Sequence, residues 1–127
     1  MPIGKAPTLP ALNAGVMPDS EVKYITKVVA PTLEPVCSIG GFRTLPDYSF
    51  QTMPTNYAAL ILIGGMQWNS PEAEQAVPLV EDALKHGKIV GAICNGVSFM
   101  AKHGFLNEVR HTGNTVQQLK LWGGENY

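Results

Sequence analysis

Two apolar runs in the second half of the chain predict buried β-strands. Residues 58–63 read Ala-Ala-Leu-Ile-Leu-Ile, and residues 88–93 read Lys-Ile-Val-Gly-Ala-Ile. Continuous apolar runs of this length are typical of parallel strands that are covered on both faces. The first run ends at Gly64-Gly65 and the second at Cys94, so both predicted strands end beside residues that can take part in chemistry.

The segments between and after these runs predict helices. Ser70-Pro71-Glu72 combines an N-cap residue, a first-turn proline and a first-turn acid, and we expect this helix to continue to about His86 and end at Gly87. A second helix is predicted over residues 95–103, ended by Gly104, and a short third helix over residues 115–121. The order strand, helix, strand, helix predicts an α/β fold with a parallel sheet.

The first half of the chain has weaker patterns. Residues 1–20 are rich in proline and predict an irregular segment, whereas residues 21–29 alternate apolar and polar positions as a strand does. Residues 36–38 and 42–46 flank Ile39-Gly40-Gly41, which is typical of a small β-hairpin. The whole chain, residues 1–127, is expected to form a single domain.

Composition narrows the functional classes. The formal net charge of −1 offers no basic surface for nucleic acid, and no apolar run is long enough to cross a membrane. The N-terminus lacks the apolar core of a signal peptide, and the two cysteines, Cys37 and Cys94, match no zinc spacing. These features favour a cytoplasmic protein that needs neither a metal nor another cofactor, with no nucleic-acid or membrane partner.

Cys94 is the first candidate for a catalytic residue. Ala92 and Gly96 stand two positions before and after it, where a sharp strand-to-helix turn has no room for larger side chains. The helix that follows would direct its free N–H groups at Cys94 and favour a thiolate. The alternative is a buried cysteine that packs at a strand end, as free cysteines often do.

Backbone N–H groups near Cys94 could stabilise an oxyanion. Gly64-Gly65 ends the neighbouring strand and has no side chain to block a close approach, so the N–H of Gly65 is one candidate donor. The N–H of Asn95 at the helix start is the second. A Gly-Gly pair alone would be read as an ordinary turn, but its predicted position beside Cys94 favours the functional interpretation.

His111 is the candidate acid–base residue among the three histidines. It opens the segment His-Thr-Gly-Asn after an apolar pair, where an α/β chain returns to the carboxyl edge of the sheet; the alternative is a structural turn histidine. His86 is predicted to be solvated at a helix end, and His103 is too far along the second helix to reach back. Cys37 lies in the predicted hairpin and is interpreted as structural.

These segments together resemble the ThiJ/PfpI superfamily, the intracellular protease- and amidase-like relatives of class I glutamine amidotransferases. The resemblance rests on residues 38–42, 60–65, 92–96 and 111–114. It implies a flavodoxin-like parallel sheet sandwiched by helices, a nucleophilic Cys94, a functional His111, and oxyanion donors at Gly65 and Asn95. Its members include peptidases, glyoxalase- or deglycase-like enzymes, stress chaperones and redox sensors.

The chain departs from the pattern of this superfamily at both ends. Members usually open with an apolar strand that ends in a glutamate touching the cysteine, but residues 1–7 contain neither feature. Members also usually continue beyond the position of Tyr127. Because the opening strand is central in a flavodoxin-like order, its neighbours would be left with open edges. We therefore expect a homodimer, or an assembly with a missing segment, rather than a stable monomer.

The expected function is that of a cysteine-dependent hydrolase or amidase-like enzyme. Cys94 would attack a small carbonyl or amide substrate, which could also be a peptide, and His111 would move protons. One alternative is a non-enzymatic sensor of oxidative stress, or a chaperone, that uses Cys94. Another is an inactive fragment that retains only part of the core.

Overall fold

A computed structural model describes residues 24–113 and 116–122, and three short two-stranded sheets organise this part of the chain. Strand β1 (Val29–Ala30) pairs in parallel with β4 (Tyr48–Ser49), and β2 (Val36–Cys37) pairs antiparallel with β3 (Arg43–Thr44). Strand β5 (Ala59–Leu62) pairs in parallel with β6 (Ile89–Ala92). The predicted hairpin and the predicted parallel pair are therefore confirmed.

Helical segments connect and follow β5 and β6. Two 3₁₀ segments, Met66–Asn69 and Pro71–Ala76, lead into helix α1 (Val77–Lys85). Helix α2 (Asn95–Lys102) follows β6, and helix α3 (Val116–Trp122) comes last. No helix within the described ranges is long and apolar enough to cross a membrane.

The core lies between β5 and these helices. Trp68 is 3 % exposed and its ring centroid lies 4.7 Å from that of Phe99, so the first 3₁₀ segment is anchored on α2. The buried apolar cluster comprises Leu62, Trp68, Ala73, Ala76, Val80, Phe99, Met100, Ala101, Leu106 and Leu119. Burial of these side chains stabilises the arrangement because apolar surface is removed from water.

The first two helices end at the glycines that the sequence predicts, but the start of the first helix differs from the prediction. Gly87 and Gly104 have φ values of 69° and 80°, the left-handed conformation that ends helices. Ser70 occupies the N-cap position before Pro71 and Glu72, as predicted, but the segment it opens is a 3₁₀ helix and its side chain makes no capping hydrogen bond. The Ser70 hydroxyl instead donates to the Gln67 carbonyl at 2.6 Å. The compact 3₁₀ turn brings that carbonyl within reach of the hydroxyl.

The prediction that β5 and β6 are covered on both faces is wrong for the part of the chain that the structure describes. Leu62 is buried, but Ile61 on the other face is 41 % exposed and Ile89 is 70 % exposed. The described helices pack on one face of the pair, so the side chains alternate between buried and exposed positions despite the continuous apolar sequence.

The predicted strand over residues 21–29 is much shorter in the structure. Residues 24–28 are irregular and only Val29 belongs to β1, which continues to Ala30. Residues 21–23, and the N-terminal segment predicted to be irregular, lie outside the described residues. The predicted last helix agrees with α3 to within one residue at each end.

Candidate active site

Cys94 occupies a strained turn between β6 and α2. Its φ and ψ angles are 56° and −124°, and it is the one non-glycine residue with positive φ among residues 24–113 and 116–122. Such a conformation costs about 1–3 kcal/mol and persists only when the surroundings enforce it. The side chain is exposed and forms no disulfide. The turn therefore presents the thiol at the surface, as the sequence pattern predicts for a nucleophile elbow.

Gly64 and Gly96 make this turn possible from two sides. A Cβ atom on Gly64 would lie 2.9 Å from the Cβ atom of Cys94 and 3.7 Å from its Sγ atom. A Cβ atom on Gly96 would lie 2.8 Å from the Leu62 carbonyl oxygen. Both positions exclude any larger residue, so the end of β5, the elbow and the first turn of α2 are in close contact.

Two side-chain hydrogen bonds fix the segment that follows β5, and one of them joins it to the elbow. The Asn95 Nδ2 atom donates to the Gly65 carbonyl oxygen at 3.0 Å, and the Trp68 Nε1 atom donates to the Ile63 carbonyl oxygen at 2.6 Å. Sequence reasoning considered only the backbone N–H of Asn95 and missed both side chains. The tryptophan could have been found, because a buried indole N–H usually needs an acceptor.

His111 lies in a loop that returns to the same region of the fold. Its Nδ1 atom is 2.9 Å from the Val109 carbonyl oxygen, which can only accept, so Nδ1 donates and the Nε2 atom carries the lone pair of the neutral ring. Two residues later, a Cβ atom on Gly113 would lie 3.4 Å from Cγ1 of Val97 in the first turn of α2. The loop that carries His111 therefore packs against the helix that starts at the elbow.

The other histidines are located away from the elbow. His86 is exposed at the end of α1, with its Nδ1 atom 3.2 Å from a carboxylate oxygen of Asp82. His103 follows α2, its ring packs on Phe99 at 4.6 Å, and its Nε2 atom is 3.3 Å from the Glu74 carboxylate. Both positions agree with the sequence analysis, which assigned no acid–base role to either residue.

Cys37 lies in a regular β-strand, whereas Cys94 lies in a turn with positive φ. Cys37 lies in the β2–β3 hairpin opposite Arg43, is exposed, and its Sγ atom is 3.5 Å from the Ser38 carbonyl oxygen. It is therefore not packed in a core, and its structural contribution is limited to the hairpin. No group of three or more His, Cys, Asp or Glu side chains within the described residues could hold a metal ion.

Comparison with known proteins identifies the family. The DJ-1/PfpI family matches residues 14–127, and the chain belongs to this family. It is 41% identical over 92 residues to the uncharacterized protease YdeA of Bacillus subtilis, covering 72% of this chain and 45% of that protein. It is 31% identical over 96 residues to the glutathione-independent glyoxalase DJR-1.2 of Caenorhabditis elegans, covering 74% of this chain and 52% of that protein.

Solved structures of the same superfamily confirm the α/β fold. A DJ-1 superfamily protein from Agrobacterium tumefaciens superposes with a TM-score of 0.74 and 30% identity, over 91% of this chain and 63% of that one. A ThiJ/PfpI family protein from Bacillus anthracis superposes with a TM-score of 0.70 and 31% identity, over 76% of this chain and 48% of that one. The chain spans about half the length of the curated relatives named above.

Proposed function

We propose that the chain supplies the nucleophile of a cysteine-dependent enzyme that acts on a small carbonyl or amide substrate. The observation that carries this proposal is the positive φ of Cys94 at an exposed elbow, enclosed by Gly64 and Gly96. A strained backbone at a chemically reactive side chain is a common feature of active sites. The printed names of two relatives, a protease and a glyoxalase, support chemistry at a carbonyl carbon.

The reaction on an amide would proceed through a thioester. The Cys94 thiolate adds to the carbonyl carbon, and the N–H groups of Gly65 and Asn95 stabilise the oxyanion that forms. His111, which has taken the thiol proton, gives it to the leaving nitrogen as the C–N bond breaks. Water then adds to the thioester with His111 as base, which releases the acid and returns the thiol.

The Asn95–Gly65 hydrogen bond has a positioning role in this scheme. It joins the residue after Cys94 to the strand end that supplies the other donor, with a separation of 3.0 Å. Oxyanion stabilisation depends on donors that are already in place before the charge develops. The arrangement around the elbow therefore supports preorganised donors rather than a loop that must reorganise during catalysis.

Turnover by Cys94→Ser and Cys37→Ser variants tests the proposal. Both cysteines are exposed, so the second variant is a matched control for the loss of a surface thiol. Methylglyoxal without glutathione and a fluorogenic peptide amide are suitable substrates, given the names of the relatives. We expect Cys94→Ser to lose at least about 100-fold in kcat/KM and Cys37→Ser to keep wild-type values.

The same variants separate the enzyme from a redox sensor. Exposure of Cys94 also permits oxidation to a sulfenic or sulfinic acid, as the alternative function requires. If wild-type protein shows no turnover on either substrate but peroxide modifies Cys94 reversibly, the sensor replaces the enzyme as the function. Equal turnover in Cys94→Ser and wild type would remove the cysteine from the mechanism altogether.

A further inference from the structure

The glycine pair after β5 has no side chains of its own to hold the backbone in place. Gly64 and Gly65 form the peptide whose N–H is the proposed oxyanion donor, and glycine has the largest backbone freedom of any residue. An oxyanion donor acts best when it is already in place, since a displacement of about 1 Å at an active site can cost about 10²-fold in rate. Neighbouring side chains are therefore needed to hold this peptide.

Two side chains fix the backbone on either side of the glycine peptide. The Trp68 Nε1 atom donates to the Ile63 carbonyl oxygen at 2.6 Å, and that carbonyl shares a peptide plane with the Cα atom of Gly64. The Asn95 Nδ2 atom donates to the Gly65 carbonyl oxygen at 3.0 Å, and that carbonyl shares a plane with the Cα atom of Gly65. Both ends of the Gly64–Gly65 peptide therefore belong to planes that a side chain holds.

The indole ring of Trp68 is itself packed against the helix that starts at the elbow. The Trp68 side chain is 3 % exposed, and its ring centroid lies 4.7 Å from that of Phe99, which is 2 % exposed in α2. Helix α2 begins at Asn95, whose N–H is the second candidate donor. Trp68 therefore connects the segment that carries one donor to the helix that carries the other.

We propose that Trp68 is a positioning residue for the reaction at Cys94: its Nε1–H fixes the Ile63 carbonyl and so places the Gly65 N–H at the oxyanion. A buried indole N–H needs an acceptor, and here the acceptor lies just beyond the end of β5 and directly before the glycine pair. Trp68 does not touch the substrate in this scheme. The role rests on the proposed function, because it requires an oxyanion on a carbonyl carbon beside Cys94.

Two reactions of the Cys94 thiolate separate positioning from stability. With p-nitrophenyl acetate, the sulfur adds to the carbonyl carbon, an oxyanion forms, and nitrophenolate leaves as the thioester forms. With iodoacetamide, the sulfur displaces iodide from the methylene carbon and no oxyanion develops. Both rates are measured on the full chain carrying Cys37→Ser, the parent protein, in which Cys94 is the only thiol.

Trp68→benzothienylalanine removes the donor with the least other change, since sulfur replaces the Nε1–H and the bicyclic shape is kept. Loss of a whole oxyanion donor costs about 10²–10³-fold, so loosening one should slow acylation by about tenfold and leave alkylation within about twofold of the parent. Trp68→Phe should show the same split. Leu106→Ala also removes apolar volume from this buried cluster but keeps the indole donor, so its ratio of acylation to alkylation should match the parent.

The possible outcomes separate this role from the proposed function. If Trp68→Phe does not fold, the benzothienylalanine variant decides. Equal acylation in that variant and the parent would overturn the positioning role alone. An equal fall in acylation and alkylation, or the same split in Leu106→Ala, would show that Trp68 acts only through stability and would overturn the role as well. A parent that reacts with the ester no faster than free cysteine at the same pH would overturn the proposed function, and the positioning role with it.

Discussion

Strand β5 has a well-packed carboxyl end and, within residues 24–113 and 116–122, one edge without a paired strand, although both belong to one four-residue strand. At the carboxyl end, Gly64 contacts Cys94, Gly96 contacts the Leu62 carbonyl, and Asn95 binds Gly65. Along the other edge, a cavity of about 740 Å³ is lined by residues of both β5 and β1, and Ile25, which also lines it, is 81 % exposed.

The difference shows which parts of this fold depend on local interactions. The elbow is built from residues 62–68 and 94–99, which two adjacent parallel strands bring together. The cavity beside β5 is instead bordered by segments that are far apart in sequence, residues 24–29 and 58–63. The elbow can therefore be well packed at one end of β5 while the edge of β5 opposite β6 has no paired strand among the described residues.

The largest effect is expected at Gly96, where the elbow is most tightly packed. Gly96→Ala would place a Cβ atom 2.8 Å from the Leu62 carbonyl oxygen, a contact between two backbones that cannot separate without disturbing β5. We expect the free energy of unfolding in urea to fall by about 2–3 kcal/mol. Gly40→Ala is the control, because its nearest contacts would be 3.8 Å or longer and its change should stay within about 0.5 kcal/mol. Equal stabilities of the two variants would contradict the close packing at the elbow.

A smaller effect is expected when the bridge between the elbow and β5 is broken. Asn95→Asp replaces the amide donor with a carboxylate that cannot donate to the Gly65 carbonyl, and we expect a loss of about 1–2 kcal/mol at neutral pH. Below about pH 4 the new carboxyl group is protonated and can donate, so part of the loss should be recovered. Urea unfolding at both pH values measures this difference. Asn69→Asp, at an exposed position, should show no such recovery.

The strain at Cys94 predicts a gain in stability when the side chain is removed. Glycine adopts positive φ without a steric penalty, so Cys94→Gly should raise the free energy of unfolding by about 1 kcal/mol. Cys94→Ala keeps the Cβ atom and should bring no comparable gain. Thermal unfolding of the two variants checks the prediction, and a gain of the same size in Cys94→Ala would show that the backbone strain is not the cause.

The smallest effect is expected at Tyr57, which lines the cavity beside β5, at alkaline pH. Desolvation by burial, and secondarily the charge of Asp82, raise the pKa of the Tyr57 hydroxyl above its ordinary value of 10.0. The hydroxyl therefore loses its proton at a lower pH in the unfolded state than in the folded state. The stability that this difference contributes is complete below pH 10 and is lost as the pH rises through the folded pKa. Tyr57→Phe should reduce the decline in stability above pH 10. Tyr24→Phe, which removes an exposed ring hydroxyl, should leave the decline unchanged.

Local patterns predicted a large part of the fold. The elbow at Cys94, the hairpin and the helix ends at Gly87 and Gly104 were all anticipated, because each depends on the conformational preferences of a few consecutive residues. The candidate roles of His111, Gly65 and Asn95 remain predictions. The structure shows only that the loop after His111 packs against the first turn of α2.

Contacts between distant segments could not be predicted in the same way. Ser70 met every sequence criterion for an N-cap, yet its hydroxyl binds Gln67 because the preceding turn is 3₁₀. The exposure of Ile61 and Ile89 was missed because a continuous apolar run carries no information about which neighbours are present. Burial is a property of the assembled layers rather than of the strand itself.

The sequence by itself determined the element types, the turn at Cys94 and membership of an α/β class, since periodicity, glycine positions and strand ends act over a few residues. Only the tertiary structure decided that Gly64 contacts the cysteine, that the Asn95 side chain binds Gly65, and that β5 and β1 border one cavity. These features depend on strand register and on the distance between segments some 30 residues apart, such as Gly65 and Asn95. Register is set when strands pair and pack, and short-range patterns do not encode it.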